Sequence, residues 1–165
     1  MFTCHELFAF MPQALALEIL GQAFTSDRES YRVALNAVAE ARKLRPVFFQ
    51  RKPRTDRHKE MLATLCHPQM EAVAGQLLRS WLLKTQEAML ANFLDGLGVA
   101  HEHGVANNFP PSVEDAKLEA LVTLLLSKYP QEKVVVYLNV FCTTCEARWP
   151  NLTKLLQTDA RLQLS

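Results

Sequence analysis

Apolar residues recur along most of this chain at spacings of three and four, the period that places side chains on one face of an α-helix. Patterns of this kind, together with helix start and stop signals, predict helices within residues 12–24, 27–44, 55–66, 69–94, 112–129 and 150–156. The stretch Gln69–Leu94 has the broadest apolar face, so we predict one long, central, buried helix there. Trp81 lies in the middle of that face and is therefore predicted to be a core residue.

Capping residues and prolines mark where these helices begin and end. Thr3 and Glu6 have capping-box spacing and predict a short helix near the N-terminus. Pro12 suits the first position of the next helix, where a missing N–H costs nothing. Residues 45–54 lie between Pro46 and Pro53, and we interpret them as an extended connector.

Two stretches are ambiguous in their secondary structure. Residues 133–141 are rich in valine, which favours a strand, but Pro130 and Glu132 are typical of a helix start. We favour helix because no partner strand is evident elsewhere in the chain. Residues 99–106 are compatible with one small β-hairpin.

The predicted fold is therefore mainly all-α: an irregular bundle of six or seven helices, with that hairpin as the one candidate for β structure. The chain has 165 residues, a usual size for one domain, and no composition shift divides it. We accordingly predict a single helical domain over residues 1–165.

Composition indicates an ordinary globular protein, with 49% hydrophobic and 21% charged residues. The first residues lack a signal-peptide pattern, and no apolar run approaches the roughly 18 residues that span a bilayer. The four cysteines are expected to be reduced thiols. These observations predict a cytoplasmic protein without membrane contact.

Charge is concentrated in one segment of the chain. Residues 42–59 carry eight basic side chains and one acid, a net charge of +7, whereas the remainder carries −6. The candidate anion- or partner-binding residues are Arg42, Lys43, Arg45, Arg51, Lys52, Arg54, Arg57 and Lys59. They suit three uses: pairing within the protein, contact with an acidic partner or a second copy, and contact with nucleic-acid phosphates. Phe48 and Phe49 within the segment are expected to anchor it to the core rather than to stack on bases.

Cys142-Thr-Thr-Cys145 follows an apolar run and resembles the redox motif of thioredoxin-like proteins over residues 133–157. That resemblance implies a nucleophilic thiol at a helix N-terminus. Only 20 residues follow Cys145, too few for the later strands of that family, so we expect both cysteines to be structural.

A metal site is a further possibility for the same cysteines. His101 and His103, two apart on a predicted loop, could complete a tetrahedral set with Cys142 and Cys145. We favour a solvated loop tip over this metal site and predict no cofactor.

The sequence contains no nucleophile elbow, phosphate loop or dinucleotide fingerprint. We therefore expect a non-enzymatic helical interaction or adaptor domain, whose partner is another protein or a second copy of the chain. The first alternative is a nucleic-acid-binding module that uses residues 42–59. The second is a metal- or thiol-dependent enzyme built on His101, His103, Cys142 and Cys145.

Overall fold

A computed structural model describes residues 1–144 and 148–165. These residues contain ten α-helices: α1 Cys4–Phe10, α2 Gln13–Ser26, α3 Arg28–Ala41, α4 Pro46–Gln50, α5 Arg54–Leu65, α6 Glu71–Thr85, α7 Glu87–Leu97, α8 Asp115–Lys128, α9 Gln131–Thr144 and α10 Pro150–Thr158. Two 3₁₀ turns, Pro68–Met70 and Ala160–Leu162, complete the regular structure. The all-α prediction is confirmed, whereas the predicted number of six or seven helices is too low.

Contacts divide the chain into two compact units, an N-terminal unit of residues 2–81 and a C-terminal unit of residues 82–165 together with Met1. The prediction of one domain over residues 1–165 stays a prediction, because a domain is defined by cooperative unfolding, which calorimetry would measure.

The N-terminal unit contains α1 to α5 and α6 as far as Trp81. Its α2, α3 and α5 contact one another, and α4 packs on α3. The Asp27 side chain caps α3 by accepting a hydrogen bond from the Ser30 N–H at 3.2 Å. Trp81 is fully buried, as predicted, and its indole N–H donates to Glu18 at 3.2 Å.

The short helix α1 is held at its N-terminus by two carboxylates. Glu6 accepts a hydrogen bond from the Thr3 backbone N–H at 2.8 Å. This is one of the two hydrogen bonds of the predicted capping box. Glu71 of α6 accepts the backbone N–H groups of Cys4 and His5, both at 2.9 Å. Burial raises the pKa of Glu71, but these hydrogen bonds outweigh it and leave that pKa below its ordinary value.

The C-terminal unit is built from α7 to α10. Its α8 contacts both α7 and α9, and α9 contacts α10. The helix α9 includes residues 133–141, which confirms the helix favoured for this stretch, and its residues 134–141 are all buried. Around Phe141, rings of Phe93, Phe109 and Trp149 lie with centroids 5.2 to 5.5 Å away, close enough for edge-to-face contact.

The predicted hairpin at residues 99–106 is wrong. The described residues contain no strand there, only a single antiparallel bridge between Glu102 and Val105. His103 and Gly104 both have positive φ, 51° and 79°, as in the tight turn of a hairpin. Pairing stops after one bridge because the chain continues into Asn107-Asn108 and the prolines 110 and 111, which are poor strand formers.

The single helix predicted over Gln69–Leu94 is also wrong. It begins as a 3₁₀ turn and is broken at Gln86, whose φ of −119° and ψ of 25° end α6 and start α7. The apolar positions Leu82 and Met89 are seven residues apart, so the same face continues across the break. Gly98, with φ 75°, ends α7 in the left-handed conformation that favours glycine.

Candidate interaction surface on the basic segment

Residues 45–54 are not the extended connector that the flanking prolines predicted. Pro46 occupies the first turn of α4, where a proline is tolerated, and the helix runs to Gln50. The basic segment therefore begins at Arg42, which caps the C-terminus of α3, and continues through all of α4 into the first half of α5. Lys43, with φ 57°, makes the bend between α3 and α4.

The two phenylalanines of α4 have opposite environments. Phe49 is fully buried and anchors α4 to the N-terminal unit, as expected. Cations of Arg42 and Lys52 lie 5.8 and 5.7 Å from its ring centroid. Phe48, which was expected to be a second anchor, has 54% of its surface exposed.

Glu60 of α5 is the counter-ion for one side of the segment. Its carboxylate accepts hydrogen bonds from Lys52 Nζ at 2.7 and 2.8 Å, and Arg42 Nη1 lies 3.6 Å away. The hydrogen bond from Lys52, followed by the charges of Lys52 and Arg42, lowers the pKa of Glu60. This pairing is the intramolecular use that the charge asymmetry suggested.

Arg57 is buried and fixes the turn between α4 and α5. Its Nε donates to the Tyr31 hydroxyl at 2.8 Å, and its Nη1 donates to the carbonyl oxygens of Gln50 at 2.9 Å and Lys52 at 3.4 Å. Because the Arg57 guanidinium already donates a hydrogen bond to the Tyr31 oxygen, the Tyr31 O–H donates to His58 Nε2 at 2.9 Å. The imidazole then accepts through Nε2 and carries its proton on Nδ1.

His58 is held neutral by this environment. Only 5% of the residue is exposed, and burial, followed by the charges of Arg57 and Arg54, lowers its pKa from 6.5 to about 4. Burial is also the first cause that raises the pKa of Tyr31. The Tyr31–His58–Arg57 network is therefore neutral except for the guanidinium.

The remaining cations of the segment face solvent. Lys43, Arg45, Arg51 and Lys59 are exposed and have no ion pair within the described residues. Arg54 is exposed too, with its guanidinium carbon 5.3 Å from the Phe24 ring centroid. The candidate residues thus separate into a group used inside the protein and a group left at its surface.

Three exposed apolar side chains accompany the solvent-facing cations: Leu44 is 38%, Val47 47% and Phe48 54% exposed. The guanidinium carbon of Arg51 lies 5.8 Å from the Phe48 ring centroid. We refer to Lys43, Leu44, Arg45, Val47, Phe48 and Arg51 as the basic–apolar surface. Such a combination of unpaired charge and exposed apolar area is typical of a binding surface.

The two candidate metal-binding histidines contact different carboxylates. His101 Nε2 lies 2.8 Å from Asp95, and His103 Nδ1 lies 2.8 Å from Glu87. Cys142 Sγ lies 3.4 Å from the Thr153 hydroxyl. Over residues 1–144 and 148–165, no three His, Cys, Asp or Glu side chains form a group that could hold a metal ion. Cys145 lies outside the described residues, so the four-residue site and the redox role of the pair remain untested.

Sequence reasoning missed that Arg28, outside the basic segment, joins Arg54 and Arg57 of that segment around one aromatic ring. Guanidinium carbons of Arg28, Arg54 and Arg57 all lie between 5.2 and 5.7 Å from the ring centroid of Phe24. A signal was present in α3, where Arg28 and Arg32 are four residues apart and therefore share a helix face.

Comparison with known proteins adds no further assignment. No protein-family model matches the chain, and neither the search of curated proteins nor that of solved structures found a significant match. Among the helices of the described residues, none is long and apolar enough to cross a membrane.

Proposed function

We propose that this chain is a non-enzymatic helical interaction module that binds an acidic, partly apolar segment of a partner protein through its basic–apolar surface. The observation that carries the proposal is Phe48, a ring 54% exposed beside Arg51 and two further exposed apolar residues. Aromatic and arginine side chains supply much of the binding energy at protein interfaces. The unpaired cations favour carboxylates in the partner.

A protein partner fits this surface better than a nucleic acid does. Single-stranded nucleic acids bind along grooves where several aromatic rings stack on successive bases. Here Phe49 is buried, so α4 offers one ring, and its other exposed apolar neighbours, Leu44 and Val47, are aliphatic. Four of the eight candidate cations already contact Glu60, the Phe24 ring or backbone carbonyl groups.

The proposal keeps the cytoplasmic prediction. Cys66 and Cys142 are present as thiols, which is consistent with a reducing compartment. The metal- or thiol-dependent alternative has less support, because His101 and His103 are directed to separate carboxylates.

Selection from a phage-displayed random peptide library would test the proposal. We expect the intact chain to enrich peptides that combine Asp or Glu with aromatic or aliphatic residues. Phe48→Ala should weaken the binding of an enriched peptide about tenfold or more, since it removes the exposed ring of the surface. Phe10→Ala is the matched control, because Phe10 is similarly exposed, at 49%, and lies outside the surface. Enrichment without acidic residues, or affinity unchanged by Phe48→Ala, would contradict the proposal.

Two further measurements distinguish the other partners. Sedimentation velocity would reveal self-association, and a dimer abolished by Phe48→Ala would make a second copy the occupant of the surface. Titration with oligothymidylate would test the nucleic-acid alternative, for which contact with four phosphates predicts a slope of log affinity against log salt of roughly −3. Salt-sensitive binding of that kind, lost in Arg45→Ala/Arg51→Ala, would replace the protein partner by a nucleic acid.

A further inference from the structure

A pocket of about 370 Å³ lies within the N-terminal unit and is lined by residues of α2, α3, α4 and α5. Phe24, Tyr31 and Leu35 form its apolar part. Arg28, Arg32 and Arg57 also line it, and none of the lining residues in the described parts of the chain is acidic. Its volume lies within the range of small-molecule sites, roughly 300 to 1,000 Å³.

Arg57 is the reason to expect a ligand there. Only 8% of the surface of Arg57 is exposed, yet within the described parts of the chain no carboxylate lies within 4 Å of its guanidinium. Its hydrogen-bond partners, which are a hydroxyl and two carbonyl groups, are neutral and involve only Nε and Nη1. Buried charges in proteins are ordinarily paired, because desolvation of an isolated charge is costly. A buried guanidinium that lines a pocket and lacks a counter-ion can be neutralised by an anion in that pocket.

The surrounding charges act in the same direction. The guanidinium carbons of Arg28 and Arg54 lie 5.2 and 5.3 Å from the Phe24 ring centroid, and neither residue has an ion pair among the described side chains. His58 accepts the hydrogen bond of the Tyr31 hydroxyl and is neutral, so it does not supply the missing negative charge. Several arginines thus converge on the Phe24 ring, and none of them has an ion pair with a described carboxylate.

We propose that this pocket binds a small organic anion, with its oxyanion between Arg57 and the rim residues Arg28 and Arg32 and its apolar part against Phe24 and Leu35. Arginine suits this role because its planar fork of N–H groups matches the oxygen atoms of a phosphate or a carboxylate. The apolar walls require a carbon skeleton in addition to the charge, so a bare inorganic ion uses only half of the site. The pocket shares no residue with the basic–apolar surface, and this site is independent of the proposed protein partner.

Isothermal titration of the intact chain with four probes tests the proposal: phenyl phosphate, benzoate, inorganic phosphate and benzyl alcohol. We expect saturable one-to-one binding of phenyl phosphate or benzoate, about tenfold or more tighter than inorganic phosphate and benzyl alcohol. The tighter of the two organic anions identifies the oxyanion as phosphate or carboxylate.

Rim variants locate the binding. Arg28→Gln/Arg32→Gln should weaken the tighter probe about tenfold, since it removes two charges beside the oxyanion while both residues are exposed and their loss leaves the core intact. Arg79→Gln, an exposed arginine of α6 that belongs neither to the pocket nor to the basic–apolar surface, is the matched control and should bind as the unmodified chain does. Circular dichroism confirms that each variant remains helical.

The proposal is overturned if neither organic anion saturates, or if benzyl alcohol binds as tightly as benzoate. It is also overturned if Arg79→Gln weakens binding as much as the double rim variant does, because the anion would then respond to overall charge and not to this pocket.

Discussion

Lowering the pH from 7.5 to 5 is expected to destabilise the protein through His58. Its pKa in the folded state is about 4, lowered first by burial and then by the charges of Arg57 and Arg54. In the unfolded chain the ring regains its ordinary pKa of 6.5. Between these two values the unfolded state binds a proton that the folded state excludes, so the free energy of unfolding falls as the pH falls.

The two pKa values set the size of the effect. At pH 5 nearly every unfolded ring is protonated but only about a tenth of the folded rings are, and this difference corresponds to a loss of about 2 kcal/mol relative to pH 7.5. The structure explains the cost. Protonation of Nε2 would direct a second N–H at the Tyr31 hydroxyl, whose oxygen already accepts from Arg57 and whose proton points to the ring.

Urea denaturation followed by circular dichroism over this pH range measures the loss. His58→Gln should reduce the pH dependence by about 2 kcal/mol, because the amide oxygen can accept the Tyr31 proton and does not titrate in this range. His67→Gln is the matched control: His67 is exposed, so that variant should retain the dependence of the unmodified chain.

Carboxylates do not obscure this window. Glu6, Glu60 and Glu71 have pKa values below the ordinary 4.5, so the stability they contribute is present above pH 4.5 and lost only below it. If the unmodified chain and His58→Gln lose equal stability between pH 7.5 and 5, then His58 is not a buried neutral acceptor and the reasoning is refuted.

Three further predictions concern stability measured by urea unfolding. Trp81→Ala should cost about 3 to 5 kcal/mol, the usual loss for a buried aromatic ring; a loss under about 1 kcal/mol would mean that the ring is not in the core. Phe49→Ala should cost a similar amount, whereas Phe48→Ala should cost less than about 0.5 kcal/mol, and equal losses would disprove the contrast in their burial. Gly104→Ala should cost about 2 to 4 kcal/mol, because its φ is 79° and a Cβ there would lie 2.7 Å from a leucine Cβ of α7. Gly98→Ala, with φ 75° and open space around it, should cost only about 1 kcal/mol, so similar losses at both glycines would exclude the steric contact.

Helical periodicity predicted the class of fold but not where helices are interrupted. The break at Gln86 cannot be recognised from the apolar periodicity, because Leu82 and Met89 are seven residues apart and continue the same apolar face on both sides of it. The prolines flanking residues 45–54 suggested extended chain, although Pro46 suits the first turn of a helix as well as it suits a connector. Residues 134–141 are buried on all sides, so their sequence lacks the polar face that would have marked a helix.

The sequence identified the basic segment as a candidate site but not the way its charges divide. Glu60 lies just beyond the segment, and its pairing with Lys52 and Arg42 depends on how α5 folds back past α3. The pocket around Phe24 combines residues from four helices. Of these, only the shared helix face of Arg28 and Arg32 can be recognised from the sequence. Contacts between distant segments are set by tertiary packing, which a periodicity argument does not describe.

The Glu71 carboxylate that closes the N-terminus of α1 has a consequence for the order of folding. Helix α1 has seven residues, too few for an isolated helix to be stable in water. Its first backbone N–H groups are satisfied by a side chain 66 and 67 positions later in the chain. During synthesis α1 therefore leaves the ribosome before the side chain that satisfies it, and becomes stable only after the first turn of α6 has emerged.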